Sequence, residues 1–137
     1  MFEVVYSSRT GTTKMIADEI ASEMKVTAEP VETKEGLAKD SFVFLGSDCY
    51  FNGYSRKLEK FITGNDFTGR KVALFGTSAT DHGNELDTLD KNVAAAGARV
   101  MGKFICKGRF LGVFNQKHPT QEELILARRF AHDVSQS

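Results

Sequence analysis

Four large apolar residues in succession, Phe42-Val43-Phe44-Leu45, stand inside the run Ser41 to Gly46 and leave neither face of a strand polar. Side chains on a strand alternate between the two sides of the sheet, so both sides must be dry here. That demands a sheet with helices above and below it, the arrangement of parallel α/β folds. The flanking patterns agree. Phe2 to Tyr6 is a short β-branched and aromatic run, followed by a Ser/Thr/Gly turn and a helical period over Lys14 to Met24. Val26 to Thr33 alternates as a second strand. Tyr54 to Ile62 carries Tyr54, Leu58, Phe61 and Ile62 on one helical face. Lys71 to Phe75 reads as a strand, Asn84 to Ala96 as a helix ended by Gly97, and Arg99 to Cys106 as the last strand. After Pro119, Thr120-Gln121-Glu122-Glu123 has capping-box spacing and opens a helix with Leu124, Ala127, Ala131 and Val134 in register. Strands alternating with helices through right-handed crossovers predict a three-layer α/β/α sandwich around a five-stranded parallel sheet. At 137 residues the chain reads as a single domain, 1–137.

Composition excludes several functions. Eighteen basic residues balance eighteen acidic ones with no block of either sign, so nucleic acid is not an expected partner. No apolar run approaches the length needed to cross a bilayer, and Met1-Phe2-Glu3 lacks a basic leader, which points to the cytoplasm. Cys49 and Cys106 form no C-x-x-C pair and are expected to stay reduced. His82, His118 and His132 have no metal-binding spacing.

Sheets of this class bind ligands outside the carboxyl ends of their strands, where strand order reverses. The loops to inspect are therefore Ser7 to Thr13, Ser47 to Gly53 and Thr77 to Gly83. In Ser8-Arg9-Thr10-Gly11-Thr12-Thr13, four of six residues carry hydroxyls, Gly11 lets backbone approach closely, and a helix follows at once. Unpaired amides and the positive end of a helix dipole attract an anion there, and hydroxyls complete a cradle for phosphate. The plainer reading is a helix cap, which needs only one of those hydroxyls. Neither G-x-G-x-x-G nor G-x-x-x-x-G-K-S/T occurs in this loop, and Gly64 to Lys71 precedes a strand instead of following one. Asp48 at the end of the third strand could be the phosphoacceptor of a receiver domain. Ser7-Ser8-Arg9 stands where such a domain needs carboxylates for magnesium, which argues against it.

The stretch Val5-Tyr6-Ser7-Ser8-Arg9-Thr10-Gly11-Thr12-Thr13-Lys14-Met15-Ile16-Ala17 resembles the flavodoxin signature, in which S/T-x-T-G-x-T holds the phosphate of FMN. Ser8, Thr10, Gly11 and Thr13 stand at its four defining positions, with Arg9 and Thr12 as supporting backbone donors. The resemblance implies strand order 2-1-3-4-5, FMN as cofactor, and transfer of low-potential electrons by a monomer. The partners it implies are redox proteins: flavin or iron–sulfur reductases and acceptor enzymes. It also implies that the second and third loops enclose the isoalloxazine ring. The second supplies Asp48, Cys49, Tyr50, Phe51, Asn52 and Gly53, of which Tyr50 and Phe51 are candidates for stacking on the ring, or else ordinary core. The Asn52-Gly53 peptide is suited to reorient when flavin N5 gains a proton, because both residues tolerate positive φ. The third supplies Thr77, Ser78, Ala79, Asp81, His82 and Gly83. Its usual aromatic is missing, and His82 is the planar substitute.

Two features depart from the family pattern. Flavodoxins are strongly acidic around the flavin, whereas this chain is neutral and places Arg56, Lys57 and Lys60 after its second loop. A less negative second potential is expected from this. Lys107 to Gln116 carries Phe110, Leu111, Val113 and Phe114 without a period and suits a cover over the core or a docking patch. Two rivals remain: an FMN-dependent NAD(P)H reductase of quinones or similar substrates, and a binding module of the same fold. The short chain leaves little material for substrate loops, and the intact first loop argues for bound FMN.

Overall fold

The computed structural model describes residues 1–9, 11–49, 53–78, 86–107 and 119–137. Among these lie five strands, β1 (Phe2–Ser7), β2 (Ala28–Pro30), β3 (Phe42–Asp48), β4 (Lys71–Ser78) and β5 (Arg99–Lys107), and four helices, with β2 leading to β3 without a helix between. The helices are α1 (Thr12–Met24), α2 (Arg56–Thr63), α3 (Asp87–Ala95) and α4 (Gln121–Ser135). Every strand pair is parallel, and the order is β2-β1-β3-β4-β5. Strand order reverses between β1 and β3, so a crevice is expected beyond Ser7 and Asp48.

The apolar run that implied a two-sided core behaves as its alternation requires. Phe42 and Phe44 face Ile16, Ala17 and Ile20 of α1 and Ala127 and Ala131 of α4. Val43 and Leu45 face the opposite way, into Leu58 and Phe61 of α2 and Leu89 and Val93 of α3. Each such side chain, fully buried, contributes about 1.5–3 kcal/mol relative to leaving it in water. Where the run ends, Gly46 pairs with Phe75 across the β3–β4 ladder, and a methyl on Gly46 would lie 2.0 Å from the Phe75 ring. The phenylalanine fills the space that a side chain at 46 would need.

Strand ends differ from the apolar pattern in a way that matters for the site. β3 continues through Ser47 and Asp48, and β4 through Gly76, Thr77 and Ser78, because Ser47 pairs with Gly76 and Asp48 with Thr77. A ladder is held by backbone hydrogen bonds, so polar residues extend it where hydrophobic period fades. β5 likewise runs one residue past Cys106. β2 is shorter than the alternation suggested. It pairs only with β1, and Pro30 lacks the N–H a longer ladder needs. Val31 N–H still donates to the Tyr6 carbonyl (2.8 Å), after which Thr33 and Lys34 N–H turn back onto Pro30. α2 starts at Arg56 with Ser55 as its N-cap, and α3 occupies Asp87–Ala95 with Leu86 as N-cap. Gly97 follows α3 with φ +99°. The capping box of α4 forms as read: Thr120 Oγ1 accepts from Glu123 N–H (3.2 Å) and Glu123 Oε1 accepts from Thr120 N–H (2.8 Å).

Candidate functional site

The chain leaves β1 at Ser7 and enters α1 at Thr12, so the intervening loop must turn from a buried strand into a helix within four residues. Gly11 makes that turn in the left-handed region, φ +87°, ψ −8°, where an L side chain is strained and glycine is not. It is also the N-cap of α1, and it has no side chain with which to cover the first amides of the helix. Its own N–H donates to Ser8 Oγ (3.0 Å), which fixes the loop's curvature. Space beside Gly11 is open, since a methyl there would meet nothing within 4 Å.

Beneath the loop, register brings the other two strand ends together. Asp48, 5% exposed, projects from β3 next to Thr77 of β4, and α1 places Thr13, fully buried, against both. One oxygen of the Asp48 carboxylate, Oδ2, accepts the Arg9 N–H (2.6 Å). The other, Oδ1, accepts the Thr13 hydroxyl. Thr77 Oγ1 lies 3.1 Å from Asp48 Oδ1 and 2.8 Å from Thr13 Oγ1, so its single proton is placed to serve either. Charge-assisted bonds of this kind are stronger than neutral ones, and they tie the first loop to the ends of β3 and β4. Cys49 N–H donates to the Thr77 carbonyl (2.8 Å), and its buried thiol donates weakly toward the Ser47 carbonyl (3.8 Å).

A second network of serines was not legible as a unit. Ser7 Oγ donates to Ser55 Oγ (2.7 Å), Ser55 N–H donates to Ser47 Oγ (3.0 Å), and Ser55 Oγ accepts from Lys57 N–H (3.2 Å) as it caps α2. Ser55 ahead of Arg56-Lys57-Leu58 carries the signal of a helix cap, but nothing local announces that it meets Ser7 and Ser47. Between the first loop and the start of α2 lies a cavity of about 400 Å³, bordered by Ser8, Arg9, Asp48 and Gly53 through Lys57. Glu32 also borders it, reaching in from beyond β2, and pairs with Lys57 Nζ (3.1 Å) at the surface. A hydrogen bond from its own backbone holds the Glu32 carboxyl below the usual carboxylate range, with Lys57 adding to the effect against the cost of burial. Tyr54 at the rim is occupied structurally: its hydroxyl donates to Glu59 and accepts from Asn92 Nδ2 (2.7 Å).

Of the residues singled out from sequence, the structure thus gathers Ser8, Arg9, Gly11, Thr12, Thr13, Asp48, Cys49, Gly53, Thr77 and Ser78 at one end of the sheet. Thr10, Tyr50, Phe51, Asn52, Ala79, Asp81, His82 and Gly83 lie outside the described residues, as do positions 108–116 of the apolar segment. Hydroxyls, a left-handed glycine and the helix N-terminus it caps, at the topological switch point, form a donor set that fits a phosphate. The buried Asp48 carboxylate is the exception within it.

Comparison with known proteins converges on one family. A model described as a flavodoxin domain matches residues 3–111. A flavodoxin of Megasphaera elsdenii is 31% identical over 119 residues, spanning 77% of this chain and 85% of that protein. The solution structure of two-electron reduced Megasphaera elsdenii flavodoxin superposes with a TM-score of 0.67 at 26% identity, covering 93% of this chain and 98% of that one. A flavodoxin from the domain Archaea gives a TM-score of 0.74 at 19% identity, covering 98% and 96%, a likeness that shows the fold. Flavodoxins are electron-transfer proteins with FMN as cofactor. This chain belongs to the flavodoxin domain family.

Proposed function

We propose that the chain is an electron carrier that binds FMN at the carboxyl ends of β1, β3 and β4 and exchanges low-potential electrons with other redox proteins. One observation carries the reading: a hydroxyl-rich loop turns at a left-handed glycine, itself the N-cap, into a helix N-terminus at the point where strand order reverses. Ser8, Thr10, Gly11 and Thr13 would hold the phosphate, with Arg9 and Thr12 offering backbone amides. The ring would lie between 48–53 and 77–83, with Tyr50 or Phe51 against its face and His82 beside it. When bound, FMN supplies one-electron chemistry that no side chain in this site provides. The protein's part is to hold the phosphate and to orient the ring. The 137 residues would act as one unit in this role.

The test is spectroscopic. Purified protein should be yellow, or become so with FMN, and should be reduced by limited dithionite and reoxidised by an acceptor protein. A colourless protein that ignores FMN would sink the proposal. Rapid bleaching by NADPH with no reductase present would replace the carrier by an enzyme.

A further inference from the structure

We infer that Asp48 is an internal anion that competes with the FMN phosphate for the donors of its own cradle, and so sets how tightly this chain retains its cofactor. The inference rests on the FMN reading above. Two donors that the loop would offer a phosphate, the Arg9 N–H and the Thr13 hydroxyl, are already directed at the two oxygens of one carboxylate. Each has a single proton, so neither serves Asp48 and a phosphate oxygen fully at once. Thr77 adds a further hydroxyl on the side of the carboxylate. Position is fixed by the sheet: Asp48 is in register with Thr77 and nearly buried, so the carboxylate has little room to leave. A phosphate monoester carries about −1.5 to −2 charge at neutral pH, and placing it against a carboxylate away from bulk water adds repulsion to the contest for donors. The β3 end therefore opposes the same anion that the α1 end attracts.

The consequence is a preference, within one protein, between two flavins that differ only by the phosphate. Apoprotein of the whole chain is titrated with FMN and with riboflavin by fluorescence quenching, alongside Asp48→Asn and Asp48→Ser. The asparagine keeps an acceptor for Thr13 and Thr77 while removing the charge, and the serine releases the Arg9 amide. The ratio of FMN to riboflavin affinity should rise about tenfold or more in both variants, about 1.4 kcal/mol. An unchanged or lower ratio, with wild type binding FMN, overturns the competition and leaves the FMN reading intact. Loss of the folded state in both variants, seen by thermal melting, makes Asp48 a brace and overturns it too. Wild type that binds neither flavin removes the FMN reading, and this inference with it.

Discussion

Two carboxylates lie at opposite ends of the same sheet, and their surroundings differ in one respect. At the amino end, Glu3 of β1 accepts from Lys34 Nζ (2.7 Å), Ala38 N–H (3.0 Å) and the Ser41 hydroxyl. Arg70 closes that end by donating to the Ala38 and Ser41 carbonyls, each at 3.0 Å. At the carboxyl end, among the described residues, Asp48 accepts from the Arg9 amide and from threonine hydroxyls. Glu3 has a close counter-charge in Lys34, both side chains of the pair being only 10–12% exposed, and its network holds β1 to the 30–41 segment. The donors around Asp48 are of the kind a phosphate also uses. A carboxylate tied to an ammonium away from any crevice is architecture, whereas one that occupies donors at a ligand crevice competes with the ligand for them.

Breaking the locked end should have the largest effect. Burial alone would push the Glu3 carboxyl upward, but Lys34, Ser41 and Ala38 together hold it below its ordinary value of 4.5. A folded-state value below the unfolded one means that its stabilisation is present at neutral pH and is lost as pH falls below about 4.5. In Lys34→Met the charge stays buried without its partner, at a cost of about 3 kcal/mol in urea unfolding at pH 7. The pH slope should also flatten. Ser41 and Ala38 still favour the ionised form while burial opposes it, so the variant should lose less stability than wild type as pH falls. Parallel pH profiles for the two proteins would show that Lys34 is not the counter-charge.

The same contrast explains what the sequence could show. Phe42 to Leu45 announced a two-sided sheet because apolar period is a local property, and the capping box at Thr120 to Glu123 is local as well. The hydroxyls of Ser8 to Thr13 were legible as a phosphate loop for the same reason. The extension of β3 and β4 through Ser47, Asp48, Thr77 and Ser78 was not, because polar residues carry no period and only the ladder keeps them in the sheet. Asp48 could be named as a residue of the second loop, yet its meeting with Thr13 and Thr77 depends on pairings between positions 29 and 35 residues away. Glu32 entered the cavity border with no warning, since Pro30 ends β2 early and a tight turn redirects the chain.

At the crevice end, Gly11 tests whether backbone shape or side-chain hydroxyls dominate. Its φ of +87° penalises an L residue, while open space around it means that a methyl meets no neighbour. Gly11→Ala should therefore cost about 1–2 kcal/mol through the backbone alone. If the loop relieves that strain by leaving the left-handed region, the amides at the start of α1 turn away. FMN affinity then falls about tenfold while riboflavin affinity changes far less, the opposite sense to that expected for Asp48→Asn. Equal losses for the two flavins would mean that Gly11 shapes the ring pocket instead of the phosphate cradle.

The smallest effect belongs to the other helix start. α4 completes itself, with Thr120 and Glu123 each satisfying the other's amide, whereas the N-cap of α1 has no side chain to offer. A helix start whose cap side chain already takes the N3 amide offers fewer donors to an anion than one whose cap has no side chain. Thr120→Ala should thus lower stability by about 1 kcal/mol, measured by thermal or urea unfolding, and leave the FMN to riboflavin ratio where it was. FMN itself should stabilise both proteins equally by mass action, because the cap lies away from its cradle. A Thr120→Ala protein that lost FMN selectively would mean that α4 reports on the phosphate loop through α1, which packs beside it in the same layer.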